Sequence, residues 1–597
     1  MKKLMTGNEA VARGAYEAGV SYAAAYPGTP STEILENMVL YKDQIISEWA
    51  TNEKVALETV IGASIAGART IAAMKHVGVN VAADPLMTFA YTGVNGGMIL
   101  VSADDPGMHS SQNEQDNRYY ATFAKIAMLE PSNSQEAKDM IKIGMEISEA
   151  YDTPVLLRMT TRVCHSKTLV EFAERENIQK KPYIKNVQKF VAVPAVAKKL
   201  RLNLEKRLKN LEEFSNKTAL NHIEWNGKSI GVIAAGVAYQ YAKEVFGEQA
   251  SYLKLGFTYP LPMDKIREFS DQVGTLYIVE ELEPFMEDQI RGAGIPCIGK
   301  EKIPAIGELN PDILAKALMG VETTALEYDK SQLAERPPVL CAGCPHRGFF
   351  HELSKRRNIM ITGDIGCYTL GAMSPLNAMD SVICMGASIS TGHGAQKIFE
   401  KFEENMKVFS VIGDSTFFHT GINSLLNAVY NKSNSVVCIL DNRITGMTGH
   451  QDNPGTGFTL QGDATNITEI EPLVKAMGVG HVRTINPLNL NEVKESLVWA
   501  TSQTGPVVLI TRWPCVLKKL SNQDKEEFGD YFSKCQVLED KCTGCKMCIR
   551  TGCPALQFNK IDKKVKIDLA QCVGCEVCKQ VCTFNAIEKV GKTDDEC

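Results

Sequence analysis

A chain of 597 residues is long enough for several domains. Its 44% apolar and 22% charged residues are those of a globular protein, and a net charge of −6 gives no reason to expect nucleic acid or an anionic membrane as a partner. No apolar run reaches transmembrane length. The amino terminus, Met1-Lys2-Lys3-Leu4-Met5-Thr6-Gly7, turns polar at once, unlike a signal peptide, so the cytoplasm is the expected compartment. Eighteen cysteines in so large a chain point to reduced thiols and metal rather than disulfides.

The first third alternates strands and helices. Residues 7–19 read as a helix, and Tyr22–Tyr26 as a strand that runs into the turn Pro27-Gly28-Thr29-Pro30. Ser31 or Thr32 is placed to cap the next helix. Ile45–Glu48 is a short strand. Asn52-Glu53 opens a helix expected to run through the small residues from Ala56 to Ala73. Val79–Asp84 and Met98–Asp104 read as buried strands. Glu53 stands at that helix start, where the macrodipole alone favours an acid. The polar stretch from His109 to Arg118 is an active-site loop or a solvated one.

Lys180–Lys217 is basic and partly helical, a linker or an external helix. Ser229–Gly236 restarts an α/β pattern, followed by a helix at 237–246 and strands at Leu253–Leu255 and Leu276–Glu280. Glu280-Glu281-Leu282-Glu283 reads as a solvated strand end.

Further on, Val408–Ile412 is a strand, Gly413-Asp414-Ser415 a turn, and a helix is expected from near Thr420. Val436–Leu440 is the next strand, ending at Asp441-Asn442. Both polar turns therefore fall at the carboxyl ends of parallel strands, where open α/β sheets place ligands. Asp414 and Asn442 offer two hard oxygens, the kind Mg²⁺ takes alongside phosphate. The helix amides suit the phosphate. Cys341-Ala342-Gly343-Cys344-Pro345-His346-Arg347 is a tight loop rather than a zinc site, because no second ligand pair follows at finger spacing. Gly386 permits close backbone approach, and His450 follows the Asn442 turn as a candidate proton donor or acceptor, or as a plain loop histidine.

The carboxyl-terminal tail carries the most specific pattern. Cys542-x₂-Cys545-x₂-Cys548-x₄-Cys553-Pro554 is followed by Cys572-x₂-Cys575-x₂-Cys578-x₃-Cys582. Two such runs make a two-cluster ferredoxin module in which each fourth cysteine serves the other cluster. One [4Fe–4S] cluster would take Cys542, Cys545, Cys548 and Cys582, and the second Cys572, Cys575, Cys578 and Cys553. Cys535 and Cys597 are surplus.

Several of these segments resemble known motifs. The Gly413-Asp414-Ser415 turn with Asn442 resembles the metal–diphosphate motif of thiamine diphosphate (ThDP) enzymes, with Ser415 where glycine is usual. That resemblance implies Mg²⁺ bound by the Asp414 and Asn442 side chains and the Ile444 carbonyl, with Gly413, Ser415 and Gly386 beside the cofactor. Asn52-Glu53, with Ala56 and Gly62 following, resembles the activating-glutamate helix of ThDP pyrimidine domains. Glu53 would then sit against N1′ of the cofactor, shielded from water. Pro27-Gly28-Thr29-Pro30 resembles the Pro-x-Thr-Pro turn of 2-oxoacid:ferredoxin oxidoreductases, in which Thr29 would bond the substrate. The Cys344-Pro345-His346-Arg347 loop resembles that family's, placing Cys344 and His346 near the cofactor.

From Thr29 to Cys582 the chain resembles the alpha subunits of indolepyruvate ferredoxin oxidoreductases. Met74–Asn80 and Met447–Gln451 also carry that resemblance. It implies an α/β multidomain ThDP-binding fold: a pyrimidine-type domain at 1–190, a linker at 191–227, a transketolase C-terminal-like domain at 228–325, and a diphosphate-type domain at 326–530. A small α+β two-[4Fe–4S] ferredoxin domain follows at 531–597. It also implies oxidative decarboxylation of aryl-pyruvates, coenzyme A as acyl acceptor, ferredoxin as electron acceptor, and a smaller beta subunit in a heterodimer or a dimer of heterodimers. Without that subunit the chain is not expected to be active. Another 2-oxoacid, branched-chain or pyruvate, stays open as substrate, as does an electron-transfer subunit with an idle ThDP fold.

Overall fold

The computed structural model describes residues 1–322, 328–334, 337–529 and 533–590. It forms two compact units, Met1–Tyr328 and Asp329–Cys597. The expected domain boundaries at 325/326 and 530/531 lie outside the described residues, as does Cys597.

The first unit is built on a seven-stranded sheet. Its order is Phe257–Tyr259, Ala127–Leu129, Val155–Thr160, Met98–Asp104, Thr70–Lys75, Tyr22–Ala25 and Ile46–Trp49. All pairs are parallel except the Phe257–Tyr259 edge. Buried on both faces, the central strands read as continuous apolar runs, Ile71-Ala-Ala-Met74 and Met98-Ile-Leu-Val101. A four-stranded sheet follows, in the order Thr275–Val279, Ile230–Ala235, Ala250–Leu255, Asn221–Glu224, the last antiparallel.

Helix Glu53–Ile65 buries Glu53, Ala56, Leu57, Val60 and Ser64, one stripe at helical spacing. The Asn52 side chain caps it, accepting from the Val55 amide at 2.9 Å. This helix is shorter than the expected run to Ala73. It ends at Ile65, and Gly67 just beyond, with a φ of +100°, stops it from continuing; an added Cβ there would lie 2.0 Å from the Lys181 carbonyl oxygen. Thr70–Lys75 is then a strand. The strand expected over Val79–Asp84 is instead two helices, His76–Val81 and Ala83–Thr92. The alternation of Val77, Val79 and Val81 mimics a strand, but the chain has just reached the carboxyl edge of the sheet and turns back there as helix.

Neither Ser31 nor Thr32 caps a helix through its side chain; the Ser31 hydroxyl donates to the Gly28 carbonyl at 3.0 Å. The basic middle segment forms the helix Pro194–Lys217. It buries Leu200, Leu204 and Leu211, and its buried Arg207 donates to the carbonyls of Ala90, Tyr91 and Asp152.

In the second unit a six-stranded parallel sheet runs Ser381–Val382, Ile359–Gly363, Lys407–Gly413, Val436–Asp441, Val507–Arg512, His481–Ile485. Gly413 pairs with Leu440, so the two central strands end side by side. The helical run after Gly413 starts at Asp414, earlier than the expected Thr420, and passes through a π-turn at Phe417–Gly421 before helix Ile422–Tyr430. The cysteine-rich tail forms two small antiparallel pairs, Cys535–Val537 with Ile587–Lys589 and Leu556–Asn559 with Lys564–Ile567. Among the described residues no helix is long and apolar enough to cross a membrane.

Candidate active-site elements

In the first unit the carboxyl edge of the seven-stranded sheet collects the chemistry. Glu53 is buried at the start of its helix. Gly78 seats its carboxyl: a Cβ there would lie 2.7 Å from Glu53 Cγ and 2.9 Å from Oε1. Glycine is thus needed for the carboxyl to lie where it does. The Thr29 turn faces the loop after Met98–Asp104, where the Ser110 hydroxyl reaches the Thr29 carbonyl at 3.4 Å. Lys75 and His76, last residue of one element and first of the next, are both buried. His76 Nε2 lies 3.2 Å from Asn113 Oδ1, Nδ1 has no partner, and burial lowers its pKa.

Arg118 is 1% exposed and fully engaged. It pairs with Asp116 at 2.5 Å and Glu280 at 2.6 Å, and donates to the Glu281 and Glu283 carbonyls. The stretch that carries it is therefore no solvated loop at this point. Glu280 and Glu281, expected as a solvated strand end, are buried: Glu280 answers Arg118, and Glu281 accepts from the Leu309 amide at 3.1 Å. Arg158 pairs with Asp104 at 2.9 Å and Glu130 at 2.8 Å in the same region. Acids outnumber bases in this buried group. Burial first, opposed by Arg158, leaves Asp104 pushed up to about 7 and Glu281 to about 7.

In the second unit Asp414 and Asn442 meet across the paired strand ends. The Asn442 amide lies 2.7 Å from the Ile444 carbonyl oxygen and 3.1 Å from Asp414 Oδ1. With its nitrogen turned inward it donates to both; with its oxygen inward, three oxygens converge. Neighbouring oxygens around a hard octahedral ion at about 2.1 Å stand ~3 Å apart, so the donor set and spacing fit Mg²⁺. Asn453 Nδ2 donates to Asp414 Oδ2 at 3.2 Å. Burial, then the nearby Asp441 charge, push Asp414 up to about 7. Ser415 Oγ accepts from Thr445 Oγ1 at 2.9 Å, which ties the two turns together.

The close approach that Gly386 makes is to its own chain: a Cβ there would lie 1.5 Å from Thr420 Oγ1. His346 is buried between Tyr368 and Phe350, with Nδ1 unpartnered and its pKa lowered to about 4 by burial. His450 Nε2 lies 3.7 Å from Cys515 Sγ.

The tail cysteines sort into two cavities. One is lined by Cys542, Cys545, Cys548 and Cys582. The other is lined by Cys553, Cys572, Cys575 and Cys578, with Cys535 beside them and its amide donating to Cys572 Sγ at 3.4 Å. Among the described residues no three metal-ligating side chains stand close enough to share one ion; thiolates that hold an iron–sulfur core stand further apart because the core lies between them.

A third group of thiols escaped the sequence reading. Cys344, Cys367 and Cys515 have raised pKa values, by burial first and then by neighbouring thiols, Cys341 acting on all three and Cys515 on Cys344 and Cys367. They border the Asp414 turn. The Cys515 amide donates to the Asn442 carbonyl at 3.0 Å. A Cβ at Gly446 would lie 3.5 Å from Cys367 Sγ and 3.7 Å from Asn442 Nδ2. Only the Cys341-x-x-Cys344 pair was visible in sequence; Cys367 and Cys515 are distant in the chain.

The loop also meets the tail. A Cβ at Gly343 would lie 2.0 Å from Val573 Cγ2, and Arg347 donates to the Thr551 carbonyl at 3.2 Å.

Residues 13–222 match the family described as pyruvate flavodoxin/ferredoxin oxidoreductase, thiamine diphosphate-binding, and residues 364–511 match the thiamine pyrophosphate enzyme C-terminal TPP-binding domain. Indolepyruvate oxidoreductase subunit IorA of Pyrococcus horikoshii is 40% identical over 99% of this chain and 97% of its own length. The subunits so named in Pyrococcus abyssi and Archaeoglobus fulgidus are 42% and 41% identical, each over 98% of this chain and 97% of theirs. With two ThDP-type matches and near full-length identity of this order, the chain belongs to the IorA family of oxidoreductase subunits.

Proposed function

We propose that this chain, with a smaller beta subunit, oxidatively decarboxylates indolepyruvate and other aryl-pyruvates to acyl-coenzyme A and CO₂ and passes the electrons to ferredoxin in the cytoplasm. The observation that carries this reading is the sorting of eight tail cysteines into two cavities in a chain with ThDP-type folds. A simple decarboxylase has no use for such clusters. The relatives' names favour indolepyruvate as substrate.

Bound ThDP supplies a nucleophilic carbon and a sink for the electrons left as CO₂ departs. Asp414, Asn442 and the Ile444 carbonyl would hold Mg²⁺ for its diphosphate, beside Gly413 and Ser415. Glu53, positioned by Gly78, would hold a proton at N1′ of its pyrimidine. Thr29 orients the substrate, and His450 serves as a proton donor or acceptor. Cys344 and His346 line the cofactor side of their loop.

Cys542, Cys545, Cys548 and Cys582 would hold one [4Fe–4S] cluster, and Cys572, Cys575, Cys578 and Cys553 the other. The thiols of Cys341, Cys344, Cys367 and Cys515 have the Cys₄ donor chemistry of a third. Their place beside Asn442, and the packing of Gly343 on Val573, support an electron route from that group to the cluster of Cys572 and outward to the cluster of Cys542.

The test is anaerobic. Chain and partner subunit, given ThDP, Mg²⁺ and coenzyme A, receive indolepyruvate, pyruvate or a branched-chain 2-oxoacid while absorbance and EPR follow the clusters. Bleaching with indolepyruvate in preference to the others is expected. Bleaching only with another acid changes the substrate, and none with any 2-oxoacid in cofactor-loaded protein sinks the reading.

A further inference from the structure

Lys75 ends the strand Thr70–Lys75 at the carboxyl edge of the seven-stranded sheet and is only 9% exposed. Its ammonium donates to the Ser110 carbonyl at 2.6 Å and reaches the Ser110 hydroxyl at 3.4 Å. Among the described residues no carboxylate lies within 4 Å of it. Asp105 is the acid whose charge acts on Lys75, but its oxygens are taken by the Ser110 amide at 2.9 Å and the hydroxyls of Ser111 and Thr161 at 2.5 and 2.7 Å. An ammonium has three N–H donors, and Ser110 occupies at most two. Burial lowers the Lys75 pKa to about 8, against the smaller opposing effect of Asp105.

The surroundings say what would answer this charge. A Cβ on Gly28 would lie 3.2 Å from Lys75 Cβ, so the Thr29 turn packs on the lysine stem. Ser110, which holds the ammonium, also reaches the Thr29 carbonyl. Three residues further on, Gly78 seats the Glu53 carboxyl. A buried cation thus stands between the turn expected to meet substrate and the acid expected to activate the cofactor. Arg118, the other cation of this region brought forward by sequence, has its guanidinium committed to Asp116, Glu280 and two carbonyls.

We propose that Lys75 is the substrate-binding residue that receives the carboxylate of the 2-oxoacid. The proposal rests on the functional reading above. Its test separates the two. The ThDP- and Mg²⁺-loaded complex with the partner subunit is titrated with indole-3-acetate and with indole-3-acetamide, which differ in the carboxylate charge, and is assayed with indolepyruvate. Lys75→Met is expected to weaken acetate binding at least about tenfold, to leave acetamide binding unchanged, and to raise KM more than it lowers kcat. Lys75→Arg, which keeps the charge, is expected to recover most of the acetate affinity. Lys75→Gln, which keeps a donor to Ser110, replaces the Met variant if that one does not fold. Acetate affinity equal in variant and wild type overturns the proposal, as does wild-type protein that does not distinguish the two analogues. Wild type that turns over no 2-oxoacid yet binds acetate through Lys75 overturns the functional reading and upholds the anion site.

Discussion

The two parallel sheets of this chain carry opposite charges at equivalent places. At the carboxyl edge of the first, a buried ammonium, Lys75, has no carboxylate partner among the described residues. At the carboxyl edge of the second, Asp414 lies buried beside the Asn442 amide and the Ile444 carbonyl. In the same unit, Arg118 shows the alternative: the same kind of charge, closed off by two carboxylates and two carbonyls. Buried charges are costly unless answered. An answered one is structure. One with spare valence, placed where a sheet opens to ligands, specifies the sign of what must come.

The largest effect should come from the acid of the first edge. Glu53→Gln is expected to cut turnover by about 10²–10⁴-fold, the range of general acid–base assistance, while ThDP still binds; unchanged turnover would remove Glu53 from the chemistry. Asp414→Ala should weaken Mg²⁺-dependent ThDP retention by more than the roughly 100-fold that loss of an outer-shell partner costs. Retention of ThDP by that variant at wild-type Mg²⁺ concentration would make the oxygen group at the second edge structural.

The third thiol group can be counted. Cys367→Ala should lower iron from about twelve to about eight atoms per chain and leave the tail clusters' EPR signals in place. Eight in the unaltered protein would leave Cys341, Cys344, Cys367 and Cys515 as thiols.

The smallest effect concerns the closed-off charges. Asp104 and Glu281, raised to about 7 in the folded unit, ionise near 4 when unfolded. From about pH 4 to 7 the folded unit therefore keeps protons that the unfolded chain has released, and its stability falls as pH rises through that window. Thermal melts at pH 5.5 and 7.5 should show the loss, and Asp104→Asn should flatten it; a melting temperature that does not fall over this range contradicts the assignment.

Much of the α/β architecture was legible because strand, turn and helix follow local periodicity, and the tail pattern because each cysteine run is short. The IorA resemblance was carried by compact motifs of the same kind. Misreadings arose where local pattern and position disagree. Val77, Val79 and Val81 alternate like a strand but follow one that has already ended. Glu280 and Glu281 look solvated because Arg118, which answers Glu280, comes from far upstream, and the Leu309 amide, which Glu281 meets, from well downstream. Lys75 lay inside the Met74–Asn80 motif, but nothing in the motif marked it as an unanswered cation, since that meaning lies in which carboxylates are missing around it. Cys367 and Cys515 join the Cys341 loop only through the folded sheet.

Asn442 has one more consequence. With its nitrogen turned inward, its amide would donate to Ile444 and Asp414. A cation entering against that orientation would have to turn the amide over and break two hydrogen bonds before its own ligands are in place. The side-chain NH₂ resonance of this single asparagine would therefore read out loading directly, moving from bonded to released as metal binds, and would time metal entry against cofactor entry without any turnover at all.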